Sequence, residues 1–232
     1  DKRLSDSKII IIDNDSDDIP REFISAFDSF IRYFKFTKLV PMHQNWERAI
    51  PYLSNKYFTY VGSDDALIFD KKSVDKIFLN DKVDCFFWQK YSYFWESSIY
   101  PKSKPSFSII GNQYNEGFIS TSKILEDIFN EKTYWNMLPT VYNSFLSRKI
   151  VADFKSTNPN INFFWNSPDI ASGMNIVNIC KDVFFLENGL GISGISKFSN
   201  GYNLSKGIKT KETIEFEKDN INAKNNLSSV KN

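Results

Sequence analysis

The stretch SKIIIIDNDSDDIP (residues 7–20) decides the fold. Four consecutive isoleucines without polar alternation predict a strand covered on both faces, as in a parallel sheet packed between helices. The run then breaks into Asp13, Asn14, Asp15, Ser16, Asp17 and Asp18. A second apolar run, KYFTYVGSDDALIFD (residues 56–70), meets acids in the same way at Asp64 and Asp65, just after Ser63. In open α/β sheets, ligands bind beyond the carboxyl ends of the strands. Two acid-tipped strands therefore predict a charged ligand at one rim. Carboxylates crowded there repel one another unless a cation or hydrogen-bond donors compensate. Mg²⁺ suits such a place, because it takes one or two carboxylates and fills its shell with substrate oxygens. The competing reading makes Asp13 to Asp18 turn and capping residues ahead of Pro20, a task for which Asp and Ser are well suited.

Working outward, Pro20 fits the first position of a helix, and Phe23, Ile24, Phe27, Phe30, Ile31 and Phe34 follow at helical spacing. A strand is expected over 34–40, then a helix over 45–53 that Pro51 ends or kinks. A strand over 57–61 and a helix over 72–79 complete a β-α-β-α-β series. Aromatic strands are expected in VDCFFW (83–88) and YSYFW (91–95). Helices over 120–131 and 138–154, a strand over 161–165, a helix over 174–180 and a strand over 183–187 follow. The fold class expected is α/β: one domain with a mostly parallel central sheet and helices on both faces, over residues 1–203. Residues 204–232 read as a polar tail, frayed at NINAKNNLSSVKN. No internal repeat and no linker is visible.

The chain has 232 residues, enough for one sizeable core and tight for two domains. Its 29 Lys and Arg against 28 Asp and Glu leave a net charge of +1, so no global field points to nucleic acid as a partner. The 22 Phe and 11 Tyr go with abundant Ile, Lys and Asn, all AT-rich codons, which explains them more simply than a dedicated aromatic surface. Cys85 and Cys180 each sit in an apolar segment and read as buried reduced thiols of a cytoplasmic protein. No run approaches the ~18 apolar residues of a membrane span. The first residues, DKRLSDSK, lack an initiator Met and a signal-peptide core, so the true beginning is expected upstream.

Two rival motifs can be weighed. An EF-hand loop counted from Asp13 wants Gly at its sixth position and Glu at its twelfth, where this chain has Asp18 and Ile24. That reading fails. A haloacid-dehalogenase-type phosphatase carries Asp-x-Asp-x-Thr/Val, and Asp13 and Asp15 fit while Asp17 stands in the last place. That reading survives as a weaker alternative.

The blocks KIIIIDNDSDD, HQNWERAI and KYFTYVGSDDALI, in this order and spacing, resemble those of family 2 glycosyltransferases of the GT-A fold. The resemblance covers residues 8–69 and continues more loosely through NSPDIASG (166–173) and GISGISKFSNG (191–201). It implies transfer of a sugar from a nucleotide-diphosphate sugar, a UDP-sugar being favoured, to a glycan or lipid-linked acceptor. A bacterial surface-polysaccharide role at the inner face of the membrane follows from it. By the same resemblance Asp13, Asn14, Asp15, Asn45, Ser63 and Asp64 bind the donor. Asp64 and Asp65 hold a divalent metal, Mn²⁺ or Mg²⁺, and Asp169 is the general base. The alternative for Asp169 is a turn or cap residue after Pro168, and the lone His43 reads as structural. Two departures stand out. Gly62 replaces an Asp usual in the family, and the family's first strand and helix are absent before the Asp13 block. A catalytically degenerate relative that binds sugar or a partner enzyme is the alternative these departures support.

Overall fold

The computed structural model describes residues 7–15, 21–26, 31–68, 71–80, 82–96, 104–109, 113–134, 137–165, 167–196, 199–209, 213–214 and 217–218. Strand β1 (Ile9–Asn14), helix α1 (Arg21–Ala26) and β2 (Ile31–Phe36) come first, with β1 and β2 paired in parallel from Ile9–Ile31 to Asn14–Phe36. Helix α2 (Met42–Glu47), a 3-10 turn at Ile50–Tyr52, β3 (Tyr57–Phe58), β4 (Ala66–Leu67) and α3 (Lys71–Leu79) follow. Next come β5 (Cys85–Trp88), β6 (Tyr91–Phe94), β7 (Ser106–Ser108), β8 (Gly117–Ser120) and α4 (Thr121–Phe129). The last elements are β9 (Ser144–Ser147), α5 (Arg148–Thr157), α6 (Pro168–Ile179), β10 (Asp182–Leu186), β11 (Gly191–Ile195) and α7 (Asn200–Ser205).

The central sheet has five strands in the order β3-β9-β5-β10-β8. Only β5 and β10 pair in parallel, and the other three pairings are antiparallel. The expectation of a mostly parallel sheet is therefore corrected to a mixed one. Apolar runs report burial on two faces, which a central antiparallel strand shares, and they carry no information on direction. A second sheet, β4-β11-β6-β7, contains one parallel pair, β11 with β6.

Strand β5 shows why helices cover both faces of the central sheet. All four of its residues are buried, and alternate side chains point to opposite faces. Cys85 and Phe87 join a cluster with Ile124 of α4, Ile150 and Phe154 of α5 and Ile176 of α6. Phe86 and Trp88 join another, with Ile77 of α3, Leu186 and Leu190. Each fully buried side chain of this size contributes roughly 1.5–3 kcal/mol of transfer free energy.

Four sequence expectations are corrected. In β1, Ile9 is exposed, Ile10, Ile11 and Ile12 are half-buried, and Asp13 is the buried residue. Helical spacing over 23–34 overran α1, since Ile31 and Phe34 belong to β2. Residues 138–154 divide into a turn, β9 and α5, with Ser147 capping α5 by accepting from Lys149 N. Residues 161–165 form turns, not a strand. Their backbone is satisfied by side chains, as Glu47 accepts from Phe164 N (2.9 Å) and Asn175 donates to the Phe163 carbonyl (2.9 Å). Pro20, Phe27, Phe30, Asp17, Asp18 and residues 219–232 lie outside the described residues. Both cysteines are free thiols, and no helix of the described residues is long and apolar enough to cross a membrane.

Candidate functional site

After β3 the chain is pinned to the turn before β9, where Thr59 Oγ1 and Tyr60 N both donate to the Val141 carbonyl at 3.0 Å. Residues 62–65 then close a tight turn. Asp65 N donates to the Gly62 carbonyl (3.2 Å), and Gly62 N donates to Asp65 Oδ2 (3.1 Å). The other oxygen of Asp65 accepts from Gly194 N of β11 at 2.8 Å. Asp64 Oδ2 accepts from Ser196 Oγ (2.8 Å) and Ser199 Oγ (3.0 Å), and its carbonyl accepts from Trp95 Nε1 (3.1 Å). The Asp64–Asp65 pair is thus locked onto β11 and its following turn. Donors, and not a protein cation alone, hold these two carboxylates together.

Glycine is required at two points here. A Cβ at Gly62 would lie 2.8 Å from Asp65 Oδ2, so a side chain there would push against the carboxylate that its own N–H anchors. The glycine at this position thus has a local reason in the turn itself. A Cβ at Gly194 would collide with the Asp64 carbonyl and stand 2.8 Å from Trp95 Nε1.

Asp169 lies in the first turn of α6, where Asp is favoured by the helix dipole. Its Oδ1 accepts from Ser167 Oγ and Ile170 N, both at 2.9 Å. These bonds fit the capping alternative, and they also fix the carboxylate's orientation. Lys90 and Tyr142 both feel the charge of Asp169 and of the Asp64–Asp65 turn. Lys90 follows β5 closely, and its Nζ lies 5.4 Å from the centroid of the Tyr142 ring. Burial pushes the Lys90 ammonium below the usual lysine range, while Asp169 and then Asp65 act to hold it up. Burial likewise drives the Tyr142 hydroxyl well up, and Asp169, Asp65 and Asp64 push it in the same direction. Burial also raises the Asp65 carboxyl, against the N–H bond from Gly194, with Asp64 adding to the rise. Three carboxylates from two distant parts of the chain therefore act on one lysine–tyrosine pair.

Of the remaining residues of the sequence reading, Asp13, Asn14 and Asn45 form a second group. Asp13 is buried and accepts a hydrogen bond from the Tyr33 hydroxyl. Asn14 ties β1 to the segment before α2, donating to the Val40 carbonyl (2.8 Å) and accepting from Val40 N (3.1 Å). Arg48 reaches both Asn14 Oδ1 (3.3 Å) and Asn45 Oδ1 (3.5 Å). Asp15 is exposed with φ 68°, a left-handed conformation that Asp tolerates in turns. Ser63 is exposed in the turn before Asp64, and His43 is buried in α2. Helix α2 joins the groups: Arg48 at its end meets Asn14, while Trp46 stacks on Tyr60 (4.6 Å) and meets the edge of Tyr142 (4.7 Å). Lys90, Tyr142 and Arg48 were missed by sequence reasoning. For Lys90 a signal existed, a lone cation within the aromatic run CFFWQKYSYFW (85–95).

Asp64 and Asp65 suit a cation that is shared with phosphate. Asp64 Oδ1 carries no hydrogen bond among the described residues, and each Asp65 oxygen spends one lone pair on an N–H. Among the described residues no group of three or more His, Cys, Asp or Glu could form an all-protein cage. Two carboxylates completed by substrate oxygens is the arrangement Mg²⁺ and Mn²⁺ accept.

The single mixed α/β domain, with helices on both faces of its sheet, has a GT-A-like, glycosyltransferase-type fold. Among solved structures it is similar to the crystal structure of S. aureus TarS 1-349, a glycosyltransferase, with a TM-score of 0.54 and 9% identity. The similarity covers 99% of this chain and 68% of that one. No family model and no curated protein matches the chain by sequence.

Proposed function

We propose that this chain is a metal-dependent glycosyltransferase of the family 2 type. It would transfer a sugar from a nucleotide-diphosphate sugar, UDP-sugars being favoured, to a hydroxyl of a glycan or lipid-linked acceptor. The observation that supports the reading is the electrostatic influence of both Asp169 and Asp65 on Lys90 and Tyr142, within a GT-A-like fold.

Asp64 and Asp65 hold the divalent ion, which when bound neutralises charge on the leaving diphosphate as a Lewis acid. Asp13 accepts a hydrogen bond from the nucleotide base, with Asn14, Asp15, Asn45 and Ser63 lining the donor side. Asp169 removes the acceptor hydroxyl's proton as the new bond forms. Its Oδ1 is occupied by Ser167 and Ile170, so Oδ2 is the atom that takes the proton. A general base contributes ~10²–10⁴-fold to rate and must stand within ~3 Å of the proton it abstracts. Asp169→Asn is therefore expected to slow transfer by that order while donor affinity stays within about twofold. Transfer rate and donor affinity measured on one preparation check this. Transfer near the wild-type rate would return Asp169 to its capping role and contradict the assignment.

A further inference from the structure

We propose that Lys90 is a phosphate-binding residue of this site, its ammonium, standing over the Tyr142 ring, engaging the diphosphate of the donor. The inference rests on the transferase reading and assigns a residue that reading leaves unused.

Lys90 lies just past the carboxyl end of β5, a central strand of the sheet, which is where open α/β folds bind ligands. An ammonium placed only to neutralise carboxylates would sit in contact with one. Among the described residues Lys90 forms no such ion pair, although other lysines do, Lys76 with Glu116 and Lys155 with Glu47 among them. Its ammonium stands over the Tyr142 ring instead. A cation–π contact holds the charge in place without consuming its N–H groups. An ammonium has three donors and no acceptor, and none of the three is used by a hydrogen bond among the described residues. Lys90 is half-buried, so its ammonium gives up part of its hydration, a cost that pairing and hydrogen bonds offset. A ligand with several anionic oxygens satisfies that demand, and a diphosphate is the one that this site's chemistry calls for.

Charge balance points the same way. Asp64, Asp65 and Asp169 supply three carboxyl groups, and Lys90 is the lysine whose charge acts on Asp65. A divalent ion on Asp64 and Asp65 and the fixed ammonium of Lys90 would together flank the leaving diphosphate. Tyr142, held by the turn that Asn143 closes, sets where the ammonium stands.

The test is calorimetric titration of the whole chain with inorganic pyrophosphate in EDTA, comparing wild type, Lys90→Gln, Lys90→Met and Lys90→Arg. Wild type is expected to bind without metal, Gln and Met to bind at least ~10-fold more weakly, and Arg to keep most of the affinity. Thermal unfolding of each variant confirms that it is folded, and Met keeps the comparison open if Gln is not. Equal affinity in wild type and in either neutral variant overturns the inference, as does no binding by wild type. Donor turnover, followed as UDP release from UDP-sugars with Mn²⁺, separates the two readings. Pyrophosphate held through Lys90 without turnover of any donor would overturn the transferase reading and leave the phosphate site standing.

Discussion

Gly194 and Asp65 show how much of the site rests on backbone. Gly194 N–H anchors one oxygen of Asp65, and the absence of a Cβ lets the Asp64 carbonyl approach the strand. Gly194→Ala forces a Cβ into that carbonyl and toward Trp95 Nε1, a case of overpacking that costs ~1–3 kcal/mol. Urea unfolding should show that loss, together with weakened metal-dependent nucleotide binding. Unchanged stability would mean that β11 can shift at no cost. The thiols give a second test at this scale. Burial drives Cys85 well above the ordinary thiol range and pushes Cys180 up to about 12, with Asp84 adding to the rise at both. The thiolate is the reactive form, and a raised pKa means that it is scarce until the pH nears that value. At pH 8.5, labelling with iodoacetamide should be at least ~10-fold slower in the folded chain than in denaturant. Rapid stoichiometric labelling of the native protein would contradict the upward shift at both thiols.

Elements were legible where one signal dominated and lost where two competed. Apolar runs marked β5 and β10 because both lie buried within the central sheet. Over 138–154 the apolar spacing suggested one helix, but Asn143 overrides it. Its Oδ1 accepts from Thr140 N (2.8 Å) and Thr140 Oγ1 (2.7 Å), and its Nδ2 donates to the carbonyls of Trp88 (2.9 Å) and Leu138 (3.2 Å). Such side-chain bonds compete with helix formation, and no periodicity records them. Strand β11 was invisible for another reason. Gly191 and Gly194 depress its strand propensity, yet both are demanded by close neighbours, Trp88 Nε1 and the Asp64 carbonyl. Asn143→Ala should orphan several buried groups at ~1–3 kcal/mol each. A loss of at least ~2 kcal/mol in urea unfolding is expected, with weaker pyrophosphate binding because Tyr142 is released. A loss under ~0.5 kcal/mol would show that the turn is held by something else.

Across the whole molecule, the sequence located the acid-tipped strands but not how they are distributed. Asp13 and Asn14 belong to the β1–β2 pair, while Asp64 and Asp65 bind to the sheet that contains β11. Strand-end position in a βαβ series says which edge a residue occupies. It does not say which of three sheets carries the strand. Helix α2 spans the two groups through Arg48 and Trp46, an arrangement that depends on long-range aromatic packing and leaves no local pattern. The resemblance of its surrounding block assigns Asp169 to the acceptor side, while its orientation comes from Ser167, a residue with no motif of its own. The proposed function requires that Asp64, Asp65 and Lys90 form one metal-dependent donor site, with Asp169 serving the acceptor. Titrating a panel of UDP-sugars in the presence of Mn²⁺ into wild type and Asp64→Asn tests it most directly. At least one sugar nucleotide is expected to bind wild type more tightly with Mn²⁺ than in EDTA, and Asp64→Asn is expected to lose this gain while remaining folded. Binding that is equally tight in the variant, or no binding by wild type across the panel, would contradict it.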